Sequence, residues 1–273
     1  MRIDNNIFMN RTDLALELVA DGISHKEGVL DGLLLTETQL GENNPIGKPA
    51  GTYTTLHCAG LSRDEKAETG ALTRVLAGLI PEAGRILVAG LGNANITPDS
   101  LGVRAASQIV ATAHLSGSEE FADLGMREVY VVETGVSAQT GMESSRQLSF
   151  IADGIKPDMV VVIDSLACSA PERLGRTLQV TDTGIAPGSG VGNARCEVSR
   201  KTMGVPVVAV GVPTVVDLSS IAPEIGKNLE SEAMVVPRDI DNMISHFAKV
   251  ISKALNRVLI PTLTEEEVEK LKF

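Results

Sequence analysis

With 273 residues, 43% of them hydrophobic and 22% charged, the chain is long enough to bury one large α/β core, alone or with a smaller lobe. Five Phe, two Tyr and no Trp exclude an aromatic platform for single-stranded nucleic acid or a sugar cage, and a net charge of −11 argues against direct binding to nucleic acid or an anionic membrane. Cys58, Cys168 and Cys196 are odd in number and lack CxxC or Cys/His spacing, which argues against a disulfide framework or a zinc site and fits a reducing, cytoplasmic compartment.

The opening stretch MRIDNNIFMNRTDLALELVADG lacks the basic segment and apolar run of a secretory leader, and no later apolar run reaches membrane-spanning length. GVLDGLLLTET and GTYTTLHCAG read as two strands that pair antiparallel across the loop GENNPIGKPAG. Arg63 to Ile80 follows at helical spacing through Leu72, Val75, Leu76 and Leu79, with its acids early. From Arg85 onward the pattern alternates: strand 85–90, helix 98–114, strand 127–133, helix 141–153, strand 159–164, then strands near 176–181 and 206–212. A last helix over 237–258 opens at Pro237 and is followed by the charged tail TEEEVEKLKF. This order predicts an α/β fold in three layers, a mainly parallel twisted sheet with helices on both faces.

Asp99 and Asp164 stand out because each is expected just past the end of an apolar strand, at the edge where open α/β sheets bind ligands. Asp99 follows Thr97 and Pro98, read as the N-cap and first residue of a helix whose dipole favours an ionised carboxylate. Asp164 is followed by the small residues Ser165, Ala167, Cys168 and Ser169, which leave room for another group. Two such acids meeting in one site raise the pKa of one member, share a proton and activate water.

The Gly-rich run Gly184 to Asn193 is long enough to wrap a site rim, with Gly188, Ser189 and Gly190 as candidates to bind substrate backbone and Glu133 as a rim contact. Gly90, Gly92 and Asn93 form a glycine-rich turn, but the third glycine of a dinucleotide fingerprint is missing. Asp182-Thr183-Gly184 spells the pepsin-type signature once only, in a chain patterned as strand-helix-strand, so it is set aside. The histidines His25, His57, His114 and His246 are scattered, no GxSxG elbow occurs, and Cys168 reads as a small packed residue.

Five stretches in this order resemble one family: RTDLALE at 11–17, VAGLGNANITPDSLG at 88–102, VIDSLA at 162–167, DTGIAPGSGVGN at 182–193 and GVPTVVD at 211–217. They are similar to the germination proteases of spore-forming bacteria. The resemblance implies an atypical aspartic endopeptidase that degrades small acid-soluble spore proteins, with a fold like the hydrogenase-maturation endopeptidases. It also implies Asp99 and Asp164 as the catalytic pair, no cofactor or metal, a place in the cytoplasm of the spore core, and a homo-oligomer such as a homotetramer. The family is made as a zymogen that clips itself. Thr12-Asp13-Leu14-Ala15 resembles the acid-then-apolar cleavage sequence, so the cut is expected between Asp13 and Leu14, with residues 1–13 a prosegment and 14–273 one α/β peptidase domain. The chain is shorter than better-known members, as if an insertion before the last helix were missing.

Three other readings compete. A hydrogenase-maturation type endopeptidase would sense nickel through two acids and a His, and no His stands at a comparable strand end. The GLGN turn suggests a peptidyl-tRNA hydrolase, against which the acidic charge weighs. A non-catalytic nucleotide-binding α/β domain is the third.

Overall fold

Every side chain of the strand Ile86–Gly90 is buried, so both of its faces must be covered, and the alternation shows by what. Ile86 and Val88 join a core with Leu72, Leu76, Leu101, Phe247 and Leu255. These come from the helices Glu65–Ala77, Leu101–Ala106 and Ile240–Leu259. Leu87 and Ala89 point the other way, toward Leu148, Ala152 and Met203 of the helices Ser144–Ile155 and Arg200–Met203. The expected three layers follow. The structure, a computed structural model, describes residues 12–18, 23–58, 64–82, 84–188, 196–221 and 233–271.

Among the described residues the strands are β1 (Ser24–Leu30), β2 (Leu33–Leu40), β3 (Gly51–His57), β4 (Ile86–Gly90), β5 (Val129–Glu133), β6 (Met159–Cys168), β7 (Thr177–Thr181), β8 (Val207–Asp217) and β9 (Met234–Val235). They form one sheet in the order β1-β2-β3-β7-β8-β6-β4-β5, with β9 added to β8. The half β8-β6-β4-β5 is parallel and the wing β1-β2-β3-β7 antiparallel, so the sheet is mixed, with its parallel half where the strand-helix alternation lies.

The last helix opens at Ile240, after Asp239, and not at Pro237 as expected. Four larger departures from expectation each have a physical reason. The run 28–38, expected as one strand, is split by a two-residue turn: Asp31 and Gly32 take φ of 51° and 85°, and Leu30 pairs with Leu33 across them. The helix expected over 98–114 is a 3-10 turn, Thr97–Asp99, and then only Leu101–Ala106. The side chain of Asn256 accepts from Val110 N–H (3.0 Å) and donates to the Gln108 carbonyl (3.0 Å), and Thr112 N–H bonds the Val129 carbonyl (3.0 Å), so tertiary partners replace the helical ones. Strands β6 and β8 run on to Cys168 and Asp217, because they pair with each other beyond the end of β4. The charged tail holds a helix, Glu265–Leu271. Thr264 and Glu267 cap it reciprocally, Thr264 N–H to Glu267 Oε2 at 2.8 Å and Glu267 N–H to Thr264 Oγ1 at 3.3 Å, while Val268 packs on Val110 and Ile260.

The helix Leu101–Ala106 lies against β4 and β6 closely enough to need glycine. A Cβ on Gly102 would stand 2.2 Å from the Ile163 carbonyl oxygen and 2.4 Å from that of Leu91, both backbone atoms with no freedom to yield. Gly102→Ala is therefore expected to lower stability by at least about 2 kcal/mol in denaturant unfolding. Gly154→Ala, in the helix Ser144–Ile155 with nothing within 4 Å of the added carbon, is expected to raise it by about 0.5–1 kcal/mol.

Candidate active site

Asp164 lies inside β6, where sequence reasoning expected a strand end. Gly90, the last residue of β4, pairs with Ile163, so Asp164 is the first β6 residue past β4, while on the other side it still pairs with Gly211 of β8. It continues the alternation of Val160 and Val162 and shares their sheet face, the one covered by the helix Ser144–Ile155. The residue is 5% exposed, and its Oδ1 accepts from Ser165 N–H at 2.8 Å.

Asp99 arrives from the turn after β4. Asn93 N–H donates to the Asp99 carbonyl at 2.9 Å and Asp99 N–H to the Ile96 carbonyl at 2.8 Å. Gly92, at φ 112°, makes this closure possible, since a Cβ there would sit 2.0 Å from the Asp99 carbonyl oxygen. The expected N-cap role of Thr97 is not what forms. Its hydroxyl bonds Asp241 Oδ1 at 3.3 Å, and Asp99 sits in the 3-10 turn before the helix Leu101–Ala106.

Asp99, Asp164 and Asp13 line one cavity of about 460 Å³ at the carboxyl edge of the parallel strands. Ser165 and Thr214 line it too, and their buried hydroxyl oxygens make no hydrogen bond among the described residues. Thr214 is placed by an irregularity: Leu166 faces Pro213 and Ala167 faces Val215, so Thr214 is an extra residue in β8. Such bulges re-aim side chains beside sites. Sequence reasoning missed Thr214 because strand 206–212 was ended too early; the apolar run continuing to Val216 was the available signal.

The residue Gly188 lines the same cavity, while Ser189 and Gly190 lie outside the described residues. Glu133 is exposed at the end of β5 and is not among the cavity's lining residues. Asp182 serves as a brace, its Oδ1 accepting from Thr52 N–H at 2.8 Å. None of the four histidines lines the cavity.

The segment Thr12–Leu18 is docked beside this cavity. Asp13 N–H donates to the Ala167 carbonyl (2.9 Å) and Ala167 N–H to Asp13 Oδ2 (2.8 Å). Gln179 of β7 brackets Leu14: its amide nitrogen donates to the Asp13 carbonyl (3.1 Å) and its amide oxygen accepts from Ala15 N–H (2.9 Å). Leu14 is fully buried against Leu166, Cys168 and Val216, and Ala15 packs with Leu40 and Tyr53. Ala15–Leu18 then forms a 3-10 turn.

The germination protease family model matches residues 9–225. The chain belongs to that family. As a member it is a peptidase, a hydrolase acting as an endopeptidase in spore germination. It is 36% identical to the germination protease of Caldanaerobacter subterraneus subsp. tengcongensis over 319 aligned positions, covering 96% of this chain and 97% of that protein. With the germination protease of Clostridium tetani the identity is 32%, covering 94% and 98%. With that of Bacillus thuringiensis subsp. konkukian it is 33%, covering 97% of this chain and 78% of the relative. Among solved structures, a [NiFe] hydrogenase maturation protease HycI from Thermococcus kodakarensis aligns at a TM-score of 0.40 and 19% identity, over 66% of this chain and 98% of that one.

For this family member a cysteine mechanism has no physical support. Cys168 is fully buried, and burial together with the nearby Glu17 charge pushes its thiol up to about 12, so thiolate is scarce near neutral pH. Cys58 is buried and Cys196 exposed. Iodoacetamide at near-neutral pH is expected to label Cys196 alone in the folded protein and to leave proteolysis intact. Inactivation that tracks labelling of Cys168 in a mass spectrum would contradict this.

Proposed function

We propose that the chain hydrolyses small acid-soluble spore proteins during germination, with Asp99 and Asp164 as paired catalytic carboxylates. It is made as a precursor that cuts its own Asp13–Leu14 bond, so that residues 1–13 leave and 14–273 remain as the peptidase. It works in the spore core as a homo-oligomer. The observation that carries this reading is the shared cavity: two acids 65 positions apart in sequence, one on a turn and one in a strand, line it together with Asp13.

In the proposed reaction one carboxylate takes a proton from water as the oxygen attacks the carbonyl carbon of Asp13. The other, protonated, donates toward the carbonyl oxygen. The tetrahedral adduct then expels the Leu14 nitrogen, which takes a proton from the pair, so a new carboxyl and a new amino terminus form and the two acids regain their starting state. The two share one titration, so acid and base are roles of the pair. Gln179 supports the reading, because holding the Asp13 carbonyl and the Ala15 N–H, on either side of Leu14, restricts the orientation of the Asp13–Leu14 bond before attack.

Asp99→Asn and Asp164→Asn are each expected to lower cleavage of a spore DNA-binding protein by at least roughly a thousandfold and to abolish N-terminal trimming, with circular dichroism unchanged. Intact mass of the purified chain reads the trimming directly. A folded variant that still loses its first 13 residues would remove that aspartate from the mechanism.

A further inference from the structure

Thr214 is 1% exposed, and its hydroxyl oxygen makes no hydrogen bond among the described residues. A hydroxyl taken out of water carries one donor and two acceptor positions, and leaving all of them unused is costly. Other buried threonines of this sheet have found partners: Thr181 bonds the Thr183 hydroxyl at 2.9 Å, Thr38 bonds His25 Nδ1 at 2.8 Å, and Thr36 bonds His57 Nε2 at 3.0 Å. Thr69, in the helix Glu65–Ala77, shares the lack of a partner but does not line the cavity of the two acids. Thr214 does.

The bulge in β8 is what puts it there. Asp164 pairs with Gly211 and Leu166 with Pro213, after which Ala167 pairs with Val215 and Thr214 is passed over. Pairing continues on both sides of that step, from Val160 with Val207 to Cys168 with Val216, so the extra residue is mounted on a rigid part of the sheet. Its side chain shares the cavity with Asp99 and Asp164, yet neither carboxylate takes the hydroxyl as a partner. The donor is therefore left for whatever enters the cavity.

We propose that the Thr214 hydroxyl is a catalytic donor, bonding the carbonyl oxygen of the peptide being cut and holding the negative charge that gathers there when water adds. This rests on the reading of Asp99 and Asp164 as the reacting pair. As the water oxygen bonds the carbonyl carbon, the π electrons of the carbonyl move onto its oxygen and the water proton passes to the ionised carboxylate. The protonated carboxyl shares its proton with that oxygen. Thr214 gives the same oxygen a second hydrogen bond and keeps its own proton, both as the adduct forms and as the amine leaves. Such a bond is stronger to the charged oxygen than to the neutral carbonyl, so it lowers the barrier more than it tightens binding. A hydroxyl acting through the carboxylates would behave differently: bonded to the base, it would favour the ionised form, and its removal would move the acid limb of the pH profile.

The test compares the full chain carrying Thr214→Val, which keeps the branched shape and loses the O–H, with Thr214→Ser, which keeps the O–H, on a spore DNA-binding protein as substrate. Thr214→Val is expected to lower kcat by at least roughly tenfold with KM within about twofold, and Thr214→Ser to recover kcat to within about threefold of the parent. Both limbs of the pH profile stay where they are in the parent. The melting temperature of Thr214→Val is expected to equal or exceed the parent's, because a buried hydroxyl without a partner gives way to a methyl group. Should Thr214→Val fail to fold, Thr214→Ala is read by kcat, KM and pH profile in the same way. Parental kcat in a folded variant without the hydroxyl, a loss that Thr214→Ser does not recover, or a shifted acid limb would each overturn the donor role, with Asp99→Asn and Asp164→Asn inactive beside it. Full activity in either aspartate variant would instead overturn the reading of the cavity, and the role of Thr214 with it.

Discussion

The close approach of bare backbone between β4, β6 and the helix Leu101–Ala106 is the constraint from which the site follows. Gly90 and Gly102 lie so near each other that a Cβ on Gly90 would stand 2.2 Å from the Gly102 carbonyl oxygen, and Gly102 in turn faces the carbonyls of Leu91 and Ile163. Leu91 N–H bonds the Ile163 carbonyl at 2.9 Å, so the chain leaving β4 is tied to β6 one residue before Asp164. With that tie made and Gly92 closing on the Asp99 carbonyl, the turn bearing Asp99 has little freedom. Side chains at those glycines would push the helix outward, and the two acids would not line the same cavity.

The mixed sheet gives that cavity its second half. Its parallel strands deliver Asp164 and, through the turn after β4, Asp99. The antiparallel wing delivers Gln179 from β7 together with Leu40 and Tyr53 from β2 and β3, which hold the segment Thr12–Leu18. A peptide lying across the junction therefore meets main-chain donors and acceptors from β6 and a side-chain amide from β7. Here the Asp13 N–H pairs with the Ala167 carbonyl, while Leu14 and Glu17 are held by surroundings matched to their side chains. The alignment with the Caldanaerobacter relative spans 319 positions against the 273 residues here, so that relative carries stretches without a counterpart in this chain. Asp99, Asp164 and the docked segment all lie within the chain that remains.

Legibility differed sharply between residues. Asp164 was readable because a carboxylate closing the run MVVVI is costly in a strand covered on both faces. Asp99 was readable from the turn after GRILVAG, although the long helix expected behind it was not there: its apolar spacing was real, but Asn256, 146 positions from Val110, took over the hydrogen bonding. Asp31-Gly32 was a turn signal inside an apolar run and was overridden by its neighbours, which is why β1 and β2 were read as one strand. Thr214 and the cradle around Glu17 left little trace, because each depends on pairing between segments far apart in the chain.

Local chemistry in the sequence was enough to establish the α/β class, the family resemblance, the two candidate acids and the acid-apolar step at Asp13–Leu14, since short-range patterns of burial and turn formation carry them. Tertiary structure alone decided that Asp99, Asp164 and Asp13 line one cavity, that Gln179 brackets Leu14, and that Glu17 is buried among donors after β6. Those outcomes hang on backbone closures such as Leu91 with Ile163, and on strand partners brought together over more than a hundred residues, such as β3 with β7. No local pattern encodes how such distant segments meet.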